Sequence, residues 1–140
     1  MSSLIYNNAL WELVKGNIDF DTDTFKCMFV TNSYTPNKDT DNRRDDVTNE
    51  VAATGGYSTG GFSATVSVAA IDTANDRIEI TLGAISVPTS TITARGAVYY
   101  KSRGGASSAD EIVAYIDFGS DVSSAGGTFS LSASTLRFQN

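Results

Sequence analysis

STITARGAVYYKSRGGASSADEIVAYIDFGSDVS, residues 90–123, decides the fold class. Two runs rich in Val, Ile, Thr and Tyr, residues 91–101 and 111–118, flank a turn of Gly, Ser, Ala and Asp at 102–110. β-branched and aromatic side chains suit a pleated, half-buried surface, and small polar residues suit the connection between two strands. The stretch contains no His and no Cys. It is built to pair, pack and present a surface.

The pattern continues outward. Phe62, Ala64, Val66, Val68 and Ala70 alternate with small or polar residues, as in a half-buried strand. Residues 77–82 alternate again, with Ile78, Ile80 and Leu82 directed inward, and the DTAND turn at 72–76 joins the two into a hairpin. Residues 25–32 form a strand with Phe25, Cys27 and Phe29 on one face. Pro88 breaks the chain before the strand at 91, and 119–127 is a loop. Residues 128–138 are a last strand or bent pair, with Phe129, Leu131, Leu136 and Phe138 as core candidates. About six to eight short strands without helical crossovers predict an all-β fold. The expectation is one domain over 1–140, an antiparallel β-sandwich or jelly-roll-like barrel with one short N-terminal helix.

That helix is expected at about 4–15, capped by Ser2 or Ser3 and ended by Gly16. Tyr6, Ala9, Leu10 and Leu13 recur at helical spacing, and Leu4, Trp11 and Val14 widen the apolar arc. The arc is wider than docking on one sheet requires. Tyr6, Leu10 and Trp11 are therefore candidate contacts with a second subunit, since Trp is enriched in interface cores. The longest irregular stretch, 33–61, carries Pro36, several glycines, and Arg43 and Arg44 among Asp39, Asp41, Asp45 and Asp46. A connection of that length is functional or mobile. Arg43 and Arg44 are candidate donors to carboxylates on a partner. Replacing both with Ala is expected to leave folding nearly unchanged.

Composition excludes several functions. The net charge is −6, with ten Lys and Arg spread along 140 residues, so no basic face is expected for nucleic acid or an anionic membrane. The single cysteine, Cys27, lies in an apolar run and is expected to be a buried, inert thiol. No signal peptide or membrane span is expected at the N-terminus, where Asn7, Asn8 and Glu12 interrupt the apolar stretch. Without histidine there is no Ser-His-Asp or Cys-His arrangement, and one Cys cannot build a zinc site. Asp19, Asp21 and Asp23 imitate the start of a calcium loop, but Thr24 and Val30 stand where such a loop needs Gly and Glu. No catalytic residue, metal or cofactor is assigned, and the chain is expected not to be an enzyme.

Five phrases together resemble a known family: YNNALWELVKGNIDFDTDTFKCMFVTNSYTPNKD at 6–39, RRDDVTNEV at 43–51, DTANDRIEI at 72–80, STITARGAVYYKS at 90–102 and IVAYIDFGSDVSS at 112–124. They resemble the small virion proteins of tailed bacteriophages, of the capsid cement or decoration type. The resemblance implies a β-sandwich subunit that forms a dimer or trimer, binds the major capsid protein and sits on the capsid exterior after assembly in the host cytoplasm. It implies no catalytic or metal residues. The alternatives are a tail, neck or fibre component, or a carbohydrate-binding β-sandwich using Tyr34, Tyr57, Tyr99 and Tyr100 as sugar platforms.

Overall fold

A computed structural model describes residues 2–140. Ten strands and one α-helix follow in the order β1 (Leu4–Ile5), α1 (Asn7–Val14), β2 (Phe25–Val30), β3 (Phe62–Ala64), β4 (Val66–Val68), β5 (Arg77–Leu82), β6 (Ile85–Ser90), β7 (Thr93–Lys101), β8 (Ile112–Ser123), β9 (Gly127–Leu131) and β10 (Ser134–Gln139). All strand pairs are antiparallel. A five-stranded sheet has the order β1-β8-β7-β2-β3. Opposite it lie a three-stranded sheet, β10-β5-β4, and a two-stranded one, β6-β9. The chain is therefore all-β and sandwich-like, with a short helix near its start.

The two halves of the 90–123 stretch pair as β7 and β8, and β2 lies on the other side of β7. One face of this large sheet, with Phe25, Cys27, Phe29, Ala97 and Tyr99, packs against Ile80, Leu82, Val87, Phe129 and Leu136 of the small sheets. A bulge in β8 between the partners of Tyr99 and Tyr100 puts consecutive residues, Val113 and Ala114, into the same core.

The opposite face of the large sheet is also buried. Met28, Val30, Val98, Tyr100, Ile112 and Tyr115 form a second cluster with Tyr6 and Tyr34, flanked by Leu4 and Val47. Its cover is the long irregular stretch, which lies over the sheet rather than projecting from it. Hydrogen bonds hold it there. Residues 49–51 pair with the end of β2 through Thr31 N–H to the Asn49 carbonyl (2.9 Å) and Val51 N–H to the Phe29 carbonyl (3.0 Å). Arg44 N–H donates to the Asp110 carbonyl at 2.9 Å. Gly61 ends the stretch at φ +83°, where an added Cβ would overlap the Cys27 carbonyl. Only glycine fits that passage from the long stretch into β3.

Several sequence expectations need correction. The helix does not begin at residue 4. Leu4 and Ile5 pair with Tyr115 and Ala114 as an edge strand, and Tyr6 is the extended residue before the helix, with no side-chain cap. Ser3 Oγ instead accepts a bond from Asp117 N–H at 2.9 Å. Gly16, at φ +79°, does end the helix region. Residues 62–70 are two strands, since the chain changes sheets at Thr65: β3 pairs with β2 and β4 with β5. Gly83 holds this corner by donating its N–H to the Thr65 carbonyl at 2.7 Å. Pro88 sits inside β6, where the β6–β9 register shifts between Val87 and Ser90.

Candidate interaction surface

Each candidate site residue has a definite place. Tyr6 is fully buried, and its hydroxyl bonds that of Tyr34 at 2.8 Å; Tyr34 donates in turn to Asp41 at 2.8 Å. Tyr6 is thus a core residue under the long stretch and lies outside the exposed helix face. Leu10 is 39% exposed, Trp11 62% and Val14 85%. Leu10 and Val14 are one turn apart, and Trp11 lies beside them. The ammonium of Lys15, one turn after Trp11, sits 5.3 Å from the Trp11 ring. On the other side of α1, Ala9 and Glu12 are buried. The helix thus buries Ala9 beside the Glu12 carboxylate on its inner side and carries an apolar outer face that no element among the described residues covers.

Arg43 and Arg44 are committed within the chain. Arg43 Nη2 donates to Glu12 Oε1 at 2.9 Å, and Glu12 also accepts from Asn17 Nδ2 at 2.6 Å. These two hydrogen bonds, that of Asn17 foremost, hold the Glu12 carboxyl below the usual range despite burial. Arg44 Nε donates to Asp110 Oδ2 at 2.8 Å, while its guanidinium lies 5.2 Å from the centre of the Tyr100 ring. Glu12, Asp110 and Glu111 are all buried. Glu111 takes Arg103 in a two-pronged pair, with Nη2 at 2.6 Å and Nε at 3.0 Å. The three carboxylates join α1, the long stretch and the 102–110 turn into one braced end. Replacing Arg43 and Arg44 with Ala thus strands two buried carboxylates. The expectation that folding would barely change is withdrawn.

All six tyrosines of the chain are buried, each at most 3% exposed. Tyr34, Tyr57, Tyr99 and Tyr100 therefore offer no platform for stacking on a sugar ring. Burial raises their hydroxyl pKa values, that of Tyr100 to about 12. Cys27 is also buried, which pushes its thiol pKa up. The three aspartates at 19–23 make a turn: Asp23 Oδ2 accepts from Asp19 N–H at 2.8 Å, and Asp19 Oδ1 from Asp21 N–H at 2.9 Å. Among the described residues no group of His, Cys, Asp or Glu side chains could hold a metal ion. No helix among them is long and apolar enough to cross a membrane.

A second apolar feature adjoins the helix. It lies where β4 ends, β5 begins and β10 ends, with Val68 paired to Ile80 and Phe138 to Ile78. Val68 and Ile78, taken as inward from their alternation, are 40% and 39% exposed. With Phe138 and Ile80 they form one wall of a groove of about 390 Å³, closed on the other side by Leu13, Ile18 and Phe20. Asp19 and Asp21 stand at its rim. Alternation identifies the face a side chain takes, but not how far the facing sheet extends, so the groove has no signal in the sequence. No protein-family model, curated protein or solved structure matches this chain.

Proposed function

We propose that this protein is a structural component of a tailed-bacteriophage virion, a cement or decoration protein that binds the major capsid protein and stabilises the shell. Its role is to bind and brace, with no reaction to catalyse. The observation that carries a binding role is the uncovered Leu10–Trp11–Val14 face on a sandwich whose loops are tied down by hydrogen bonds and ion pairs. Exposed apolar patches of this kind mark contact surfaces. A rigid body presenting such a patch loses little conformational entropy on docking. The choice of particle follows the five sequence phrases that resemble phage virion proteins. Arg43 and Arg44 leave the list of capsid contacts, because their charges are used internally. The loop expected at 119–127 is mostly strand, since β8 runs to Ser123 and β9 starts at Gly127, so the turn at 102–110 and the short β8–β9 turn at 124–126 take their place as candidates.

The test is reconstitution. Purified protein is added to expanded capsids lacking it, bound protein is measured by pelleting, and shell stability by thermal release of DNA. Saturable binding that raises the release temperature is expected. Binding confined to tails would move the protein to a tail or neck role, and binding to neither would overturn the proposal.

A further inference from the structure

We infer that a second copy of this chain docks in the groove beside α1, with Trp11 of each copy entering the groove of the other. The inference rests on the view that the α1 face is a contact surface, and it names the surface that receives it.

Four observations meet here. Trp11 is a protruding apolar group, 62% exposed. The groove of about 390 Å³ is an apolar hollow lined by Leu13, Ile18, Phe20, Val68, Ile78 and Phe138, among others. Knob and hollow lie on opposite flanks of the same helix, since Leu13 lines the groove and Trp11 stands about 160° round α1 from it. A two-fold axis running along α1 exchanges the two flanks and brings each knob to the other's hollow, the self-complementary arrangement of a closed dimer. The charges also match. Lys15, packed against Trp11 and only loosely paired with Glu12 at 3.8 Å, travels with the knob with about half its side chain exposed, and Asp19 and Asp21 stand exposed at the mouth of the groove. Docking puts the cation of one copy against the carboxylates of its partner, which fixes register more than affinity.

Magnitude sets the expected strength. A buried aromatic contributes about 150–250 Å², whereas a standard interface takes roughly 800 Å² from each partner. Leu10, Val14 and the exposed strand ends supply the rest, so a dimer of about micromolar affinity is expected.

Sedimentation velocity over a concentration series tests this without any capsid, so its outcome is independent of the reconstitution above. The wild type is expected to shift from monomer to dimer. Trp11→Ala should weaken the dimer by about thirtyfold, as a central anchor does, and Val68→Glu by about tenfold, both with native circular dichroism. If Val68→Glu fails to fold, the charged rim remains as a test. Lys15→Asp and Asp21→Lys should each weaken the dimer, and the two together should restore it. Dimerisation lost in Trp11→Ala but untouched by Val68→Glu and by the charge exchange would overturn the groove while keeping the helix face as the contact. A strict monomer, or a trimer, would overturn the inference outright.

Discussion

Truncating Arg44 separates a structural arginine from a decorative one. In Arg44→Ala the Asp110 carboxylate keeps the Arg103 N–H at 2.8 Å but loses the guanidinium at 2.8 Å, and Asp110 is only 1% exposed. Stranding one partner of a fully buried pair costs about 3–5 kcal/mol. The Arg44 side chain is 21% exposed, so water reaches part of the vacated space and lowers this to roughly 2–3 kcal/mol. Loss of the contact with Tyr100 adds about 0.5 kcal/mol. The sum is about 3 kcal/mol. Arg137 is the control. It pairs with Glu79 at 3.2 Å with half its side chain exposed, and Glu79 keeps Arg77 as a second cation at 3.2 Å. Arg137→Ala should cost less than about 1 kcal/mol. Urea unfolding followed by far-ultraviolet circular dichroism reads both. With a slope of about 2 kcal/mol per molar, the midpoint should fall by about 1.5 M for Arg44→Ala and by less than about 0.5 M for Arg137→Ala. Adding Asp110→Asn to Arg44→Ala removes the stranded charge and should recover part of the loss. Equal losses for the two arginines, or no recovery with Asn, would refute the assignment of Asp110 as a buried charge that needs Arg44.

Three further outcomes follow from other parts of the chain. Because Asn17 and Arg43 hold the Glu12 carboxyl below its usual range, its contribution is complete above the unfolded value near pH ~4.3 and is lost as pH falls through the lower folded value; acid unfolding should therefore begin at milder acidity in Arg43→Ala. At the alkaline end, buried tyrosines are raised by desolvation, so their stabilising effect is full below pH ~10 and lost above it; tyrosinate absorbance should appear only together with unfolding, and a stepwise native titration near ~10 would contradict their burial. Gly61→Ala combines a positive φ with overlap on the Cys27 carbonyl and should destabilise by about 3 kcal/mol or more, read as a large drop in melting temperature.

Legibility in the sequence followed the range of the interactions. β7 and β8 are readable because Val, Ile and Tyr density is a local signal, and Gly16 because a positive φ after a helix is local chemistry. Leu4 and Ile5 satisfied helical spacing equally well. Their pairing with Tyr115 and Ala114 depends on residues more than a hundred positions away, which periodicity does not report. Arg43 and Arg44 read as donors to a partner for the same reason. Their neighbours in sequence are aspartates, but the carboxylates they bond are Glu12 and Asp110. The tyrosines looked available for contacts because a polar hydroxyl is ambiguous. Partners for those hydroxyls, such as the Gly83 carbonyl for Tyr99, come from other segments. Among the proposed contact residues, Leu10 and Trp11 were readable as surplus apolar surface, while the groove beside them depends on how β4, β5 and β10 meet at their ends.

The pairing of β1 with β8 also sets an order in time. A ribosome adds roughly 5–20 residues per second, so Leu4 and Ile5 leave it several seconds or more before Tyr115 and Ala114 exist. β2 waits similarly for β7, and its Phe25, Cys27, Met28, Phe29 and Val30, buried on both faces in the finished molecule, stay unpaired meanwhile. Little of this fold is available to a half-made chain. Its large sheet closes only once β8 has been made, and until then the nascent protein carries β2 as an unpaired apolar strand.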